Sequence, residues 1–338
     1  MKRLATGISL SAFSLLGVVA SVPGVRADDM PVAAPATRTF AFTYTVTVPK
    51  PAAGAKHQDA WVPTPLEDQL QKVTGLSVSA KVDGKDVPFE QTKDAEYGNT
   101  MVHVGLDAPT ADLVISWTAT ITRTADVGQG TGPMSDRFKK ADNLVPLDGK
   151  AAAIAKEIGA DKADADVLAR AKRIYDEVLT TMLYDKVAPG YGKGDFNRAC
   201  EIGKGNCTDF HAKFTGIARA GGIPVRFTMG VPLSTDAKGT AGGYHCWAHW
   251  SDGKAWKPVD ISEAQKIAAK DAAKAQWFFG HLDADRVALT IGRDLTLAPK
   301  QAGKPLLFFA YPYVEIDGAE APKDPDTAKR RSFTWENR

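Results

Sequence analysis

The run GNCTDFHAKFTGIARAGGIPVRFTMG, residues 205–230, constrains the fold of this 338-residue chain more than any other segment. A Gly-Asn turn precedes apolar residues at helical spacing, which predicts a helix that begins at Cys207 and ends at Gly221 and Gly222. A strand should follow from Val225. Because a helix N-terminus carries a partial positive charge and unpaired N–H groups, it lowers the pKa of a thiol and can stabilise an oxyanion. The sequence therefore predicts that Cys207 is a nucleophile.

A predicted hairpin after this helix contains an imidazole and a carboxylate. Residues 244–250 and 255–261 have the composition of strands, and the Ser-Asp-Gly between them is typical of a tight turn. Antiparallel pairing would bring His245, at the start of the first strand, close to Asp260, at the end of the second. His245 would then form an ion pair with Cys207, and Asp260 would hold the imidazole in one tautomer.

Four short motifs together resemble the transglutaminase-like superfamily of papain-type folds. They are G-N-C-T-D-F, A-R-A-G-G-I-P-V-R, Y-H-C-W and W-K-P-V-D, and the bacterial exported members are the most similar. The resemblance extends over about residues 140–300 and implies a Cys-His-Asp triad formed by Cys207, His245 and Asp260. It also implies an aromatic oxyanion donor before the cysteine, for which Tyr184 is the candidate.

The first 27 residues have the pattern of a cleavable secretory signal peptide. Lys2 and Arg3 precede an apolar run, and Val-Arg-Ala before Asp28 fits a cleavage site after a small residue. Glycines and serines within the run make it a poor membrane anchor. We therefore expect an exported protein with no membrane attachment after cleavage, and in a bacterium, as the resemblance implies, a periplasmic one.

The rest of the chain predicts an α+β fold with two domains. Alternating apolar residues in 39–48, and strand-like runs at 76–82, 100–106 and 112–122, predict a β-sandwich over residues 28–135. Helical patterns at 151–158 and 163–183 then open a papain-like, transglutaminase-like catalytic domain, residues 136–300, with helices packed on an antiparallel sheet. A C-terminal strand and tail would occupy 301–338.

Charge argues against a nucleic-acid partner. Removal of residues 1–27 takes three of the 42 basic residues and none of the 40 acidic ones, which leaves 39 basic residues. A nearly neutral protein lacks the basic footprint of a nucleic-acid-binding protein. We expect a protein or peptide substrate and no cofactor; the sequence leaves the oligomeric state open.

The cysteines and histidines permit two further interpretations. Zinc could be bound by His245, Cys246, His249 and His281, but histidines four apart on a strand lie roughly 13 Å apart, so we expect no metal. In an oxidising compartment Cys200 could pair with Cys246 and leave Cys207 free, whereas a disulfide to Cys207 would block catalysis. Cys246 should point away from the His245 imidazole and lie behind the site.

These observations together predict thiol-dependent acyl transfer. The Cys207 thiolate would attack an amide carbonyl and form a thioester, which water would resolve in a peptidase or amidase and an amine in a transglutaminase. The alternative is a non-enzymatic binding module of the cell envelope on the same fold. The charged residues Asp283, Asp285, Arg286, Arg293 and Asp294 carry no predicted catalytic role, and we expect ion pairs that fix the C-terminal segment.

Overall fold

The computed structural model describes residues 36–132, 134–163, 165–322, 325–326 and 328–338. The predicted signal peptide lies outside the described residues. The strands of the first part are β1 (Thr37–Val48), β2 (His57–Pro63), β3 (Gln71–Val82), β4 (Lys85–Asp86), β5 (Glu90–Lys93), β6 (Thr100–Asp107) and β7 (Leu113–Thr124). A short 3₁₀ helix, Asp136–Lys139, follows.

Helices dominate the centre of the chain and strands return afterwards. The helices are α1 (Lys150–Glu157), α2 (Val167–Thr181), α3 (Phe196–Ile202), α4 (Cys207–Ala220), α5 (Ile261–Ile267) and α6 (Ala272–Trp277). Between them lie β8 (Leu183–Tyr184), β9 (Lys204–Gly205), β10 (Val225–Pro232), β11 (Lys238–Ala241), β12 (His245–Ser251) and β13 (Trp256–Val259). The last strands are β14 (Arg286–Ile291), β15 (Tyr313–Ile316), β16 (Ala319–Glu320) and β17 (Arg331–Asn337). Within the described residues, no helix is long and apolar enough to cross a membrane.

Two antiparallel sheets pack face to face in the first part of the molecule. One has six strands in the order β11-β17-β1-β7-β3-β4, and the other has five in the order β16-β15-β2-β6-β5. The alternation predicted for 39–48 is confirmed, because its apolar side chains are buried in one core with residues of β2 and β6. A tight hairpin joins β3 to β4, with Asp83 and Gly84 at positive φ.

A four-stranded antiparallel sheet and the helices form the second part. The strand order is β13-β12-β10-β14, and α4 packs against β10 and β12. Helices α1, α2, α3 and α5 surround α4, whose residues are almost all buried. The predicted α+β fold, with helices on an antiparallel sheet, is confirmed. The first residue of α4 therefore lies against the sheet rather than in solvent.

The two parts are joined by shared strands and a shared core. Strands β15, β16 and β17 complete the two sheets of the first part, and residues Pro35–Arg338 form one compact unit. Cys207 and Cys246 belong to the same apolar cluster as the β1 side chains. The Gly-rich segment 126–136 is bonded to the second part, since Gly130 pairs with Trp256. The division into domains at residues 135 and 300 stays a prediction.

Candidate active site

Cys207 is the first residue of α4, as its sequence context predicts. Asn206 caps the helix: its side chain accepts the Thr208 N–H at 3.0 Å, and its own N–H donates to Asp209 at 3.0 Å. This reciprocal capping box fixes the turn before the helix. The helix ends at Gly221, and Gly222 takes a positive φ of 79°, which suits glycine. The Cys207 thiol is consequently held at a helix N-terminus with only 3 % of the residue exposed.

His245 and Asp260 meet through the hairpin that the sequence predicts. Strands β12 and β13 pair with Ala248 opposite Val259, and this register brings the residue that opens β12 to the residue that follows β13. The His245 Nε2 atom lies 2.7 Å from the Asp260 Oδ2 atom. Asp260 also caps α5, where its Oδ1 atom accepts the Glu263 N–H at 3.2 Å. The carboxylate is fully buried and fixed at both oxygens.

The three side chains form one hydrogen-bonded series with strong electrostatic coupling. Hydrogen bonds from Cys246 and His245, together with the positive charge of His245, hold the pKa of Cys207 well below its ordinary value although burial opposes this. Burial acts to lower the pKa of His245, but Asp260 and Cys207 outweigh it and raise that pKa to about 10. Between these two pKa values, the pair exists as thiolate and imidazolium. Such a thiolate is a strong nucleophile at neutral pH.

All three cysteines are free, and Cys246 contacts Cys207 rather than Cys200. Cys246 is fully buried, and its Sγ atom lies 3.7 Å from the His211 Nδ1 atom. Burial and the neighbouring Cys207 raise the pKa of Cys246 well above its ordinary value. Cys246 therefore stays protonated and can donate to the Cys207 thiolate.

The glycine-rich loop of residues 188–195 is tied to the nucleophile helix by Asp209. Its carboxylate accepts the N–H of Gly192 at 2.8 Å and the N–H of Gly194 at 3.2 Å. Both glycines have positive φ, at 85° and 62°. Asp209 is also an acidic residue in the first turn of α4. It has the further role of positioning this loop beside Asn206.

His211 links the elements that carry the cysteine and the aspartate. Its Nδ1 atom lies 2.8 Å from the Cys207 carbonyl oxygen, and its Nε2 atom lies 3.2 Å from the Ile261 nitrogen. Since the Ile261 N–H is a donor, Nε2 must be unprotonated and Nδ1 must carry the hydrogen. Burial lowers the pKa of His211, which favours this neutral form. These contacts are those of a structural histidine that joins two elements of the site.

Comparison with known proteins agrees with this geometry. Residues 152–261 match the sequence model described as the transglutaminase-like superfamily, and this range contains Cys207, His245 and Asp260. The chain carries a transglutaminase-like domain. A Haemophilus influenzae protein of uncharacterised function is 28 % identical over 326 residues, which cover 82 % of this chain and 85 % of that protein.

A solved structure shares the fold over most of the chain. It is a protein of Cytophaga hutchinsonii that has been proposed to be a cysteine protease. The TM-score is 0.52 at 14 % identity, and the match covers 89 % of this chain and 98 % of the other. At this identity the similarity shows the fold of the transglutaminase-like domain and the strands around it.

Arg286 also lies at this site, although the sequence analysis gave it no catalytic role. Its Nη1 atom lies 3.2 Å from Asp260 Oδ2, its Nη2 atom lies 3.1 Å from Asp283, and its guanidinium lies over the Trp247 ring. It is thus a second cation on the carboxylate that holds His245. Arg286 opens β14, which lies beside β10 in the sheet, and the sequence does not reveal that strand order.

The other charged residues of that segment make the expected structural contacts. Asp285 pairs with Arg38 of β1 at 2.6 Å, and Asp294 accepts the Asn143 N–H at 2.6 Å. Arg293 is buried and donates to the Gly194 carbonyl at 2.9 Å. These bonds fix the segment after α6 to both parts of the molecule.

Tyr184 lies at the edge of the site of the transglutaminase-like domain. Its strand, β8, pairs in parallel with β9, which immediately precedes Asn206 and Cys207. The ring is half-buried against Phe210, and Lys266 lies 4.0 Å from its centroid. Burial, followed by the charge of Cys207, raises the pKa of Tyr184, so its hydroxyl stays protonated. The hydroxyl is chemically suited to donate to an oxyanion.

The only described group with metal-ligand proximity is His245, Asp260 and Glu263. Arg286 already pairs with Asp260, and Lys266 pairs with Glu263 at 2.5 Å, so resident cations compensate both carboxylates. His249 instead lies 3.0 Å from Asp126, and the ring of His281 stacks on Trp277. The four residues considered as zinc ligands do not form such a group among the described residues.

Proposed function

We propose that this protein is a cysteine-dependent enzyme that transfers the acyl group of protein or peptide amides through a thioester on Cys207. The supporting observation is the buried His245, whose Nε2 atom lies 2.7 Å from Asp260 and whose positive charge holds the pKa of Cys207 well below its ordinary value. The transglutaminase-like domain provides the fold on which such chemistry is expected. Export to the periplasm is part of the same proposal and rests on residues 1–27 of the sequence.

The reaction begins with attack of the Cys207 thiolate on the amide carbonyl carbon. The carbonyl oxygen becomes an oxyanion, which the backbone N–H of Cys207 stabilises because the first N–H of a helix has no acceptor within the helix. Tyr184 is proposed as the second donor. The His245 imidazolium then transfers its proton to the leaving amine, the C–N bond breaks, and the thioester remains.

The second half reverses the roles of the same groups. Neutral His245 removes a proton from water or from an amine as that nucleophile attacks the thioester. The C–S bond breaks and the Cys207 thiolate returns, paired again with protonated His245. Water yields a carboxylic acid, whereas an amine yields a new amide. Asp260 and Arg286 keep the imidazole in place throughout.

Alkylation with iodoacetamide between pH 4 and 9, read by peptide mass mapping, tests the thiolate. We expect fast labelling of Cys207 far below the ordinary thiol pKa of about 8.5. Loss of a charge-assisted hydrogen bond should slow the labelling of Cys207 at pH 6 about tenfold or more in His245→Ala. Cys200 is an internal control, because burial raises its pKa and it should label slowly. Slow labelling of Cys207 that His245→Ala does not change would refute the proposal.

A second experiment tests the acyl-transfer reaction itself rather than the reactivity of the Cys207 thiol. A glutamine-containing peptide is incubated with the protein, with and without a primary amine, and the products are identified by mass spectrometry. We expect an acid or an amine adduct that Cys207→Ala abolishes. Tyr184→Phe should reduce turnover about 100-fold without slowing alkylation, as for loss of one oxyanion donor. Tyr191→Phe, at an exposed tyrosine, is the matched control.

A further inference from the structure

A second cavity lies further along the strand that carries His245. It measures about 200 Å³, and its lining includes Trp247 and His249 of β12, Arg226 of β10 and Arg123 of β7. The Trp247 ring separates it from the site, with its centroid 6.2 Å from that of His245. The cavity is therefore distinct from the Cys207 site but shares a wall with it.

Two buried guanidinium groups reach this cavity without adequate partners. Arg123 is 1 % exposed, and no described residue accepts a hydrogen bond from its side chain. Arg226 is 7 % exposed, and its only described hydrogen bond is a long one, 3.5 Å, to the Thr131 carbonyl. The indole N–H of Trp247 is buried there and also lacks a described partner. The Nε atoms of Arg123 and Arg226 and the Trp247 indole N–H have thus lost water without gaining an acceptor among the described residues.

Two other buried arginines of the described chain, Arg219 and Arg170, have the hydrogen-bond acceptors that Arg123 and Arg226 lack. Arg219 donates to Asp142 at 2.8 Å and to two backbone carbonyls, and Arg170 donates to the Ala160 and Gly221 carbonyls. An arginine that is buried and unpaired costs several kcal/mol. The charges of Asp68 and Asp126 act on Arg123 and Arg226 only from beyond salt-bridge distance, so part of that cost stays uncompensated.

The carboxylates near the cavity are already engaged elsewhere. Asp68 accepts the N–H groups of Leu70 and Gln71 at 2.8 and 2.9 Å, and Asp126 accepts from Gly128 at 2.9 Å and bonds to His249. No salt bridge joins any described carboxylate to either guanidinium. Burial, followed by Arg226, lowers the pKa of His249 to about 4, so this ring adds no positive charge at neutral pH.

We propose that this cavity binds a small oxyanion, a carboxylate or a phosphate group, between Arg123 and Arg226. Guanidinium groups present paired N–H donors that match two oxygens of such a group. The Trp247 N–H adds a neutral donor, and exposed Lys93 adds a cation to the lining. The cavity volume suits a small anion, because sites for cofactors and other larger ligands typically measure about 300–1,000 Å³.

Titration of the purified protein with inorganic phosphate and, separately, with acetate tests the proposal. Calorimetry at constant ionic strength in chloride gives the affinity, and thermal unfolding gives the accompanying rise in Tm. We expect one anion per chain, and the anion that binds more tightly identifies the ligand chemistry. Binding should be the same in Cys207→Ala, because the site does not depend on the proposed enzymatic function.

Variants separate the cavity from general charge effects. Arg123→Gln should weaken anion binding about tenfold or more. It should not lower the Tm in anion-free buffer, because it removes an unpaired buried charge. Arg170→Gln, at a buried arginine that is hydrogen-bonded, should lower the Tm and keep the anion affinity.

Lys93 provides a second test that does not disturb the core. Lys93→Gln at this exposed position should weaken binding about twofold to fivefold, whereas Lys85→Gln, at an exposed lysine outside the lining, should not. Absence of binding by the wild-type protein would overturn the proposal. Equal binding by the wild type, Arg123→Gln and Lys93→Gln would also overturn it, because it would identify an adventitious ion only.

Discussion

Strand β12 carries two buried histidines, each beside an aspartate, and we expect one imidazole to be charged and the other neutral. His245 lies 2.7 Å from Asp260, and His249 lies 3.0 Å from Asp126. Asp260 and Cys207 outweigh burial and raise the pKa of His245 to about 10, whereas burial and Arg226 lower the pKa of His249 to about 4. At pH 7 we therefore expect His245 to be charged and His249 to be neutral.

Asp260→Asn should lower the pKa of His245 and leave that of His249 unaffected. The rise from the ordinary 6.5 to about 10 corresponds to roughly 5 kcal/mol in favour of the imidazolium. Asp260 is the largest cause that raises this pKa, and a neighbouring carboxylate typically accounts for one to three pH units. The His245 pKa should accordingly fall by about two units or more in the variant.

The assay is NMR of the imidazole Cε1–H signals between pH 5 and 9. In the wild type the His245 signal should keep the imidazolium shift up to about pH 9, and the His249 signal should keep the neutral shift. Asp126→Asn is the matched control, because it alters the neighbouring pair on the same strand. A wild-type His245 that titrates near 6.5, or a pKa unchanged in Asp260→Asn, would refute the electrostatic argument.

Three further perturbations test other parts of the structure. His249→Gln should make the free energy of unfolding less sensitive to acid. The pKa of His249 in the folded protein lies below the ordinary 6.5, so the stability that is present above pH 6.5 is lost as the pH falls through about 4. That loss is worth roughly 3 kcal/mol, and urea unfolding at pH 4 and 7 measures it; an unchanged difference would contradict the linkage. Asp209→Asn should release the N–H groups of Gly192 and Gly194 and make the loop at 188–195 several-fold more sensitive to limited proteolysis. Equal cleavage rates in the variant and the wild type would contradict this expectation. Oxidation by diamide should join Cys207 to Cys246 by a disulfide and block alkylation of Cys207 in the wild type but not in Cys246→Ala. A Cys207–Cys200 disulfide in the peptide map would contradict the contact between Cys207 and Cys246.

Local patterns predicted the elements at the site well because the relevant interactions are short in sequence. The start of α4 at Cys207, its end before Gly222, and the meeting of His245 with Asp260 all depend on caps, turns and antiparallel register. The bounds of α2 were predicted too long, because Asp166 accepts the N–H groups of Leu168 and Ala169 and begins the helix at Val167.

Contacts between distant segments could not be predicted in the same way. Arg286 reaches Asp260 because β14 pairs with β10, and Asp126 reaches His249 from the segment that follows β7. Strand order and the packing of loops across a sheet depend on the whole fold rather than on any local spacing. Arg123 and Arg226 come together for the same reason, and each alone has the appearance of an ordinary surface arginine in the sequence.

The pairing of β17 with β1 has a consequence for how the protein acquires its structure. The register joins Phe40 to Asn337 and Val46 to Arg331, so the sheet depends on contacts between nearly opposite ends of the described chain. Such non-local contacts require closure of a very long loop and slow the folding of a polypeptide. The six-stranded sheet is therefore complete only after residues 331–337 have been synthesised. Because the β1 side chains share their apolar cluster with Cys207, the surroundings of the thiol become ordered only at that late stage.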